Sequence, residues 1–331
     1  MSTQLSRAVL TTLLGLSLSA CALDASEADL GAEGAVAQNA DALSAVHLHR
    51  FSFGAQEIGD QGPAPGADIL EAANWVLDAG VDTASLERIK QRGKIPYMYF
   101  YIAAGMAKTA DHLDDCNVVS FDQSLCKWGG DYISKHVGEV VAAHGHAARA
   151  VEKVMNGSPI LVHVEPDWYQ YTESSHAPGN PGDKTVHPLG LPESGSILNR
   201  IVHAIHANCK SCSVVLDVST WASDLAGYYA HVDLSKVAFV GLVGKTIDAT
   251  TGKLDNYTFG EVTAITGKRL IVNTAHGPGG GPTPYNTTWD ARSSLKSMWN
   301  EGVVAVIQSN KSEAHYESTI DHFKHHPVSG P

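Results

Sequence analysis

ILVHVEPDW, residues 160–168, runs from an apolar strand directly into two acids, a proline and an aromatic ring. Side chains alternate along a strand, so Glu165 and Asp167 are expected on one face, and Pro166 lacks the N–H that a continuing ladder needs. The strand is therefore expected to end here. Because α/β barrels carry their catalytic groups at the carboxyl ends of strands, the segment predicts a barrel with chemistry at this point. The simpler alternative is that Asp167 caps the next helix and Glu165 forms a buried salt bridge.

The composition is that of an ordinary globular protein with many loops. The chain has 331 residues, 44% of them hydrophobic and 18% charged, with 31 Gly and 14 Pro. A single barrel domain of about 250 residues fits this length. The net charge of −12 argues against a nucleic-acid partner, because such partners need a basic surface that releases counterions. A neutral or cationic ligand is favoured, and we expect a monomer.

The first 21 residues have the pattern of an export signal. Arg7 precedes an apolar run over residues 8–18, and small residues precede Cys21. The pattern predicts a signal peptide over residues 1–21. Leu-Ser-Ala-Cys at 18–21 resembles the lipobox of bacterial lipoproteins, which implies a lipid on Cys21 and an outer-membrane or cell-surface location. Plain secretion is the alternative. Residues 22–45 contain no aromatic residue and predict a flexible tether, followed by the folded domain over residues 46–331.

Four further cysteines predict two disulfides in an oxidising compartment. They are Cys116, Cys126, Cys209 and Cys212. Three pairings are possible, and local closure of Cys116 with Cys126 and of Cys209 with Cys212 costs the least chain entropy. A zinc site is the rival interpretation, although one Cys-x-x-Cys without a matching second pair is a weak zinc signal.

Strand-like and helix-like segments alternate along the domain. Helical patterns cover residues 133–154, 196–207, 258–266 and 288–300. Strands are predicted near residues 46–53, 95–103, 159–165, 213–219, 237–243, 269–274 and 303–308. This alternation is typical of parallel βαβ units. We predict a distorted seven-stranded parallel β/α barrel, since no Gly-x-Gly-x-x-Gly turn follows the first strand as in a dinucleotide-binding fold.

Polar and aromatic residues near the strand ends suggest a sugar site. Rings stack on pyranose faces, amides bond hydroxyls, and acids act on the glycosidic oxygen. The candidate acids are Asp115, Glu165, Asp167 and Asp217. The candidate substrate contacts are Tyr99, Tyr101, Trp128, Trp168, Trp221, Lys245, Asn273, His276 and Gln308. For each tryptophan, packing in the core is an equal alternative.

Several motifs, taken in order, resemble the family 6 glycoside hydrolases, which are inverting β-1,4-glucanases and cellobiohydrolases on a distorted seven-stranded barrel. The matching segments are Asp115-Cys116, the Gly-Gly-Asp-Tyr-Ile at 129–133, the Glu-Pro-Asp at 165–167, Leu216-Asp217, the strand near 270–274 and the Gly-rich residues 277–281. The resemblance implies that Asp167 is the general acid and that Asp115 lies beside it and raises its pKa. Glu165 and Asp217 would support them. The implied substrate is a β-linked, glucan-like polysaccharide, and no cofactor is implied.

The chain departs from this family pattern where the water-activating base would be expected. The last strand, residues 303–308, carries no acid, and the next acid along the chain is Glu313. Asn273 stands where the family usually has aspartate, and Thr220-Trp221 replaces an expected histidine. Two other classes therefore stay open. One is a non-catalytic saccharide-binding lipoprotein that kept the cleft and lost the base.

The other class is a metal-dependent barrel hydrolase. His47 and His49 fall on the first predicted strand, where their spacing puts both imidazoles on one face. His163 and His276 could complete a metal site, which would supply a bound water as nucleophile.

Overall fold

The computed structural model describes most of the chain from Val46 onward. The described residues are 46–56, 66–72, 76, 80–116, 119–172, 187–220, 222, 224–243, 253–254, 256–274, 287–308 and 314–329. The predicted signal peptide, Cys21 and the predicted tether lie outside them. The division into signal, tether and barrel domain therefore remains a prediction for its first two parts.

Eight parallel strands close into a barrel, in the order β1-β10-β9-β6-β5-β4-β3-β2. These are β1 (Ser52–Gln56), β2 (Ile69–Glu71), β3 (Ile95–Phe100), β4 (Ile160–Val164), β5 (Cys212–Asp217), β6 (Phe239–Val243), β9 (Arg269–Asn273) and β10 (Val303–Gln308). Two short strands, β7 (Lys253–Leu254) and β8 (Tyr257–Thr258), pair with each other antiparallel. The predicted parallel β/α barrel is confirmed.

Helices separate most of the barrel strands along the chain. They are α1 (Thr83–Gln91), α2 (Ile102–Asp111), α3 (Leu125–Lys135), α4 (Val137–Met155), α5 (Trp168–Thr172), α6 (Leu191–Asn208), α7 (Leu225–Tyr229), α8 (Phe259–Thr266), α9 (Arg292–Asn300) and α10 (Ala314–His325). The segment predicted as one helix over 133–154 is divided at His136, the residue that ends α3 and precedes α4. Helix α8 begins with a complete capping box between Thr258 and Glu261, as its sequence suggests.

The barrel has one more strand than the seven predicted. The additional strand is β2, which pairs with β1 on one side and β3 on the other. Its three residues are all buried. A segment this short shows no periodicity in the sequence, so its strand character comes from its two neighbours.

The first strand begins later than predicted. Ser52 pairs with Ala305 of β10, and β10 itself begins only at Val303. Within the described part of the chain, residues 46–49 have no strand beside them with which to form a ladder. The N–H of Val46 instead donates to the hydroxyl of Ser213, and the N–H of Phe51 donates to the carbonyl of Val328.

The core consists of the barrel interior and the layer between the strands and the helices. All five residues of β4 are buried, as are all six of β10, which is why these strands read as continuous apolar runs rather than alternating ones. On the outside, α4 packs against α6. The polar residues that follow the strands consequently gather at the carboxyl end of the barrel, where the candidate site lies.

Candidate functional site

The candidate site lies where β3, β4 and β5 end. Tyr101 follows the last residue of β3, Asp167 lies three residues beyond β4, and Asp217 is the last residue of β5. Because these strands are parallel neighbours, their carboxyl ends meet at one rim of the barrel. The structure therefore brings together three of the residues predicted from the sequence.

The Asp167 carboxyl group accepts a hydrogen bond from one tyrosine, which in turn contacts a second tyrosine. The hydroxyl of Tyr101 donates to Oδ2 of Asp167 at 2.6 Å, and it also contacts the hydroxyl of Tyr171 on α5. Burial, followed by the neighbouring Asp167, raises the pKa of both phenols well above the usual range. Both tyrosines consequently remain protonated donors. Tyr171 was missed by the sequence analysis, although a residue four positions after Asp167 on a helix is a natural neighbour.

Asp115 lies close enough to Asp167 to act on its charge. The disulfide Cys116–Cys126 ties the residue after Asp115 to α3, and the backbone N–H of Asp115 donates to Asp114 at 2.9 Å. Asp114 in turn forms an ion pair with Lys108 of α2 at 2.8 Å. The charge of Asp115 adds to the rise in the pKa of Tyr101 and of Tyr171, and the role that the resemblance implied for Asp115 stays a prediction.

Asp167 has the electrostatics of a general acid. Burial, followed by the charge of Asp115, raises the pKa of Asp167 from 3.8 to about 8, while the hydrogen bond from Tyr101 lowers it in part. Asp217 and Glu165 add smaller repulsions of the same sign as Asp115. A carboxyl group with a pKa in this range keeps its proton near neutral pH and can deliver it to a leaving oxygen.

Glu165 does not share a face with Asp167, so that expectation is wrong. Strand β4 ends at Val164, and Glu165 adopts a left-handed conformation with φ of 43°. Its side chain is fully buried, and its Oε1 accepts from the N–H groups of Ile102 and Ala103 at 2.9 and 2.8 Å. The strand alternation therefore stops one residue earlier than assumed. Glu165 points at the start of α2.

Asp217 and His163 meet below the rim. The Nε2 atom of His163 lies 3.4 Å from Oδ1 of Asp217, and its Nδ1 is 2.6 Å from the hydroxyl of Tyr97. Burial lowers the pKa of His163 from 6.5 to about 3 and raises the pKa of Asp217 well above its usual range. The imidazole is therefore neutral at pH 7, and burial shifts Asp217 toward its protonated form.

Three of the predicted substrate contacts are sealed inside the barrel. Tyr99, Asn273 and Gln308 are at most 1% exposed. The amide nitrogen of Asn273 donates to the hydroxyl of Tyr99 at 2.6 Å and to Glu71 at 2.9 Å. Because β9 and β3 are not adjacent strands, the Asn273 to Tyr99 bond must cross the barrel interior. These side chains thus form a buried polar network and do not line an open groove.

The tryptophans divide between core and surface. Trp168 is 2% exposed, and its indole N–H donates to the hydroxyl of Ser194 at 3.1 Å, so its prediction as an open sugar platform is wrong. Trp128 is half-buried, with Lys127 5.0 Å from its ring centroid and its N–H bonded to the carbonyl of Asp122. Trp221, Lys245 and His276 lie outside the described residues.

The predicted histidine metal site is not assembled. His47 and His49 are exposed, stack on each other with ring centroids 5.8 Å apart, and precede β1 rather than lying on it. They are therefore at the amino-terminal end of the barrel strands, opposite the end that carries Asp167. Within the described part of the chain, no three His, Cys, Asp or Glu side chains converge in a way that could hold a metal ion.

Both disulfides have the local pairing that the entropy argument favoured, Cys116 with Cys126 and Cys209 with Cys212. The zinc alternative for these cysteines is wrong, because each sulfur is bonded to another sulfur. Two disulfides indicate a protein that works in an oxidising, extracellular-type compartment. Among the described helices, none has the length and apolar character of a membrane span.

Compared by sequence, the chain matches no protein-family model and no curated protein. Compared by structure, it resembles a ruminal GH26 endo-β-1,4-mannanase with a TM-score of 0.50 and 12% identity, over 82% of this chain and 62% of the mannanase. The old yellow enzyme homologue from Zymomonas mobilis also has a TM-score of 0.50 and 12% identity, over 85% of this chain and 92% of that one. The endoglucanase Cel6 from Mycobacterium tuberculosis gives a TM-score of 0.37 and 15% identity, over 67% of both chains.

The chain thus spans about three fifths of the mannanase that it matches. At these identities the likeness shows the barrel fold alone. Since a glycoside hydrolase and an old yellow enzyme homologue share that fold, the activity has to be argued from the side chains at the barrel mouth. What the comparisons establish is that this chain has the fold of a β/α barrel.

Proposed function

We propose that the protein is an exported glycoside hydrolase that cleaves a β-linked polysaccharide, with Asp167 as the general acid. The observation that carries this proposal is the carboxyl group of Asp167, whose pKa is raised to about 8 by burial and by Asp115 at the mouth of a barrel. Hydrolysis of a glycosidic bond requires a carboxylic acid that is still protonated at working pH. The net charge of −12 suits a neutral sugar polymer better than an anionic one.

The surroundings of Asp167 support a division of roles. The Tyr101 hydroxyl orients the Asp167 carboxyl group, and the Asp115 carboxylate would stabilise positive charge that develops at the sugar ring. Asp217, which burial shifts toward its protonated form, would donate a hydrogen bond to a sugar hydroxyl. Among the remaining candidates, half-buried Trp128 and the tryptophan at 221 are proposed as stacking surfaces.

We further propose an inverting mechanism on a β-1,4-glucan-like substrate. An inverting enzyme admits water between its acid and its base, with the two carboxyl groups about 6.5 to 9.5 Å apart. The anomer released first distinguishes the two stereochemical courses. Proton NMR of the earliest product should show the α-anomer from a β-linked substrate, and an initial β-anomer would establish retention instead.

The proposed location is the cell exterior, either in a secreted form or anchored by a lipid on Cys21. Mass spectrometry of the mature protein, isolated from its host, distinguishes the two. A diacylglyceryl-modified Cys21 at the N-terminus supports the anchor, whereas an unmodified N-terminus in the culture medium supports secretion.

The activity is tested by the release of reducing ends from soluble β-1,4-glucan, β-1,4-mannan and chitosan. Wild type should release sugar from at least one polymer, with no loss on adding a chelator. Asp167→Asn should lose at least about a hundredfold of that rate, the lower end of what general acid catalysis contributes. Asp321→Asn, the same change at a side chain that is 76% exposed on α10, is the matched control and should keep full activity. Equal activity in Asp167→Asn would overturn the assignment.

A second candidate function is saccharide binding without cleavage. The last barrel strand ends in Gln308, which is 1% exposed, at the place where the family pattern has its acid-bearing loop. Binding of a polymer in affinity electrophoresis, with no reducing ends released from any of the three, would favour this alternative.

A further inference from the structure

Glu165 has a backbone conformation that needs an explanation. Its φ of 43° lies in the left-handed region, which costs a residue with a side chain about 1–2 kcal/mol. The backbone N–H nevertheless continues the ladder by donating to the carbonyl of Phe100 at 2.8 Å. The chain therefore turns only after this last hydrogen bond of the ladder. The turn directs the Glu165 side chain away from the position that strand alternation would give it.

The Glu165 carboxylate caps the start of α2. Oε1 of Glu165 accepts from the backbone N–H groups of Ile102 and Ala103. The residue in the N-cap position is Tyr101, whose side chain makes no capping bond to the helix. Glu165, in the turn after β4, thus does what an N-cap side chain normally does locally, and it places a negative charge at the positive end of the helix.

A buried histidine packs against the same oxygen of this carboxylate. Nε2 of His144 lies 3.0 Å from Oε1 of Glu165, and both side chains have no exposed surface. Nδ1 of His144 is 2.8 Å from the carbonyl oxygen of Val140, so it must be the donor there. The contact between Nε2 of His144 and Oε1 of Glu165 is close but lacks the geometry of a hydrogen bond, so the two side chains pack together as a buried pair.

The contacts of Glu165 adjoin, along the chain, both the donor and the acceptor of the Tyr101 to Asp167 hydrogen bond. Tyr101 immediately precedes Ile102, whose N–H is fixed by Glu165, and Asp167 follows Glu165 by two residues. We propose that Glu165, bonded to the start of α2 and packed against His144, is a positioning residue that fixes the Tyr101 phenol against the Asp167 carboxyl group. This role rests on the proposed function only for its catalytic meaning, because the geometry itself can be tested without substrate.

The test is a double-mutant cycle in which the measured quantity is the titration midpoint of the Asp167 carboxyl group. Carbon-13 labelling of aspartate carboxyl groups gives the midpoint of Asp167, whose signal is identified by its absence in Asp167→Asn. The cycle compares Glu165→Gln in the wild-type background and in the Tyr101→Phe background. If Glu165→Gln only removes a charge, the titration midpoint of Asp167 falls equally in the wild-type and Tyr101→Phe backgrounds. If it also breaks the hydrogen bond from Tyr101 to Asp167, the midpoint rises in the wild-type background only, because Tyr101→Phe already lacks that bond.

We expect the shift caused by Glu165→Gln to be more positive in the wild-type background than in Tyr101→Phe, by about one pH unit. His144→Asn, which can keep the bond to Val140 and leaves the Glu165 side chain in place, should give a difference of the same sign and serves as the second variant if Glu165→Gln does not fold. Glu139→Gln, the same change at a side chain that is 64% exposed on α4, should give no difference.

Equal shifts in the two backgrounds would overturn the positioning role and leave Glu165 as a charge or a structural cap. The result does not depend on finding a substrate. If no polysaccharide is cleaved, the proposed function fails while the cycle still decides whether Glu165 positions Tyr101. If activity is found, Glu165→Gln should lower kcat more than it raises KM, because the group that it orients acts in the chemical step.

Discussion

Tyr101 donates its phenolic hydrogen to Asp167 at 2.6 Å, while Asp115 acts on the same carboxyl group through its charge. The two neighbours have opposite effects. The hydrogen bond stabilises the ionised form of Asp167 and lowers its pKa, whereas the charge of Asp115 destabilises that form and raises it. The working pH of a general acid at this position is therefore set by the balance between a donor on one side and a carboxylate on the other.

Tyr101→Phe and Asp115→Asn should move the pH profile in opposite directions. A general acid must be protonated, so activity falls as pH rises through the pKa of Asp167. Removing the Tyr101 donor should move the basic limb of kcat/KM upward, and removing the Asp115 charge should move it downward, each by about one pH unit. A pH series of initial rates for the two variants and wild type checks this. Movement of both limbs in the same direction would contradict the assigned roles.

Asp167 should also make the protein less stable as pH rises. The folded state keeps the proton of Asp167 up to about pH 8, whereas the ordinary aspartate pKa of 3.8 applies once the chain unfolds. Between these values the native state binds more protons than the unfolded state, so the free energy of unfolding decreases with increasing pH. This group contributes up to about 1.4 kcal/mol for each pH unit.

Asp167→Asn should therefore be more stable than wild type at pH 8, with a smaller advantage at pH 5. Urea denaturation at the two pH values gives the difference in free energy of unfolding. Asp321→Asn, with its side chain 76% exposed, should give no pH-dependent difference. An advantage of Asp167→Asn that is equal at both pH values would argue against a proton held on Asp167.

The architecture could be predicted because its signals are local in the sequence. Seven of the eight barrel strands appear as apolar runs alternating with helical patterns. The eighth, β2, has three residues and no periodicity of its own. The expected nearness of Asp115 and Asp167 came from the order of motifs shared with a known family. The cysteine pairing followed from loop length alone, and both bonds confirm it.

The orientation of single side chains could not be predicted in the same way. Glu165 leaves the strand alternation because its carboxylate accepts a hydrogen bond from the backbone at the start of α2 and packs against the buried His144. Asn273 is withdrawn from the rim because Tyr99 and Glu71 bond it across the barrel. Both outcomes depend on residues far away in the sequence. Trp168 shows the remaining difficulty, since the residue type alone is equally compatible with a sugar platform and with the core.

The two disulfides should differ in their effect on activity. Cys116–Cys126 adjoins Asp115, whereas Cys209–Cys212 lies at the opposite end of the barrel, where β5 begins. Each bond closes a short loop and should contribute about 2–3 kcal/mol to stability in the chain-entropy description. The double variant Cys209→Ser with Cys212→Ser should unfold at lower denaturant concentration and keep its kcat.

The double variant Cys116→Ser with Cys126→Ser should in addition lose at least about tenfold in kcat/KM, because it releases the segment that places Asp115 beside the acid. Rates measured well below the unfolding transition separate the two effects. A similar loss of activity in both double variants would show that general stability, rather than the position of Asp115, explains the result.

His163 should give the stability of the protein a dependence on pH in the acid range. Burial lowers the pKa of His163 to about 3, so the imidazole stays neutral in the folded state at pH values where the unfolded chain, with a pKa near 6.5, is protonated. Between these values the unfolded state binds more protons, and the free energy of unfolding falls as pH decreases, by up to about 1.4 kcal/mol per pH unit from this group. His163→Gln removes that titration.

At pH 7 His163→Gln should be less stable than wild type, because the ring that stacks on Tyr99 with centroids 4.8 Å apart is lost. Its deficit should shrink as pH falls from 6.5 toward 4, since only wild type carries the unfavourable titration. Urea denaturation over that range measures the convergence of the two curves. His325→Gln, whose side chain is 74% exposed, keeps a constant difference from wild type if the argument is right. Parallel curves for wild type and His163→Gln would mean that the buried imidazole takes up a proton in the folded state, and that the contact with Asp217 is then an ion pair.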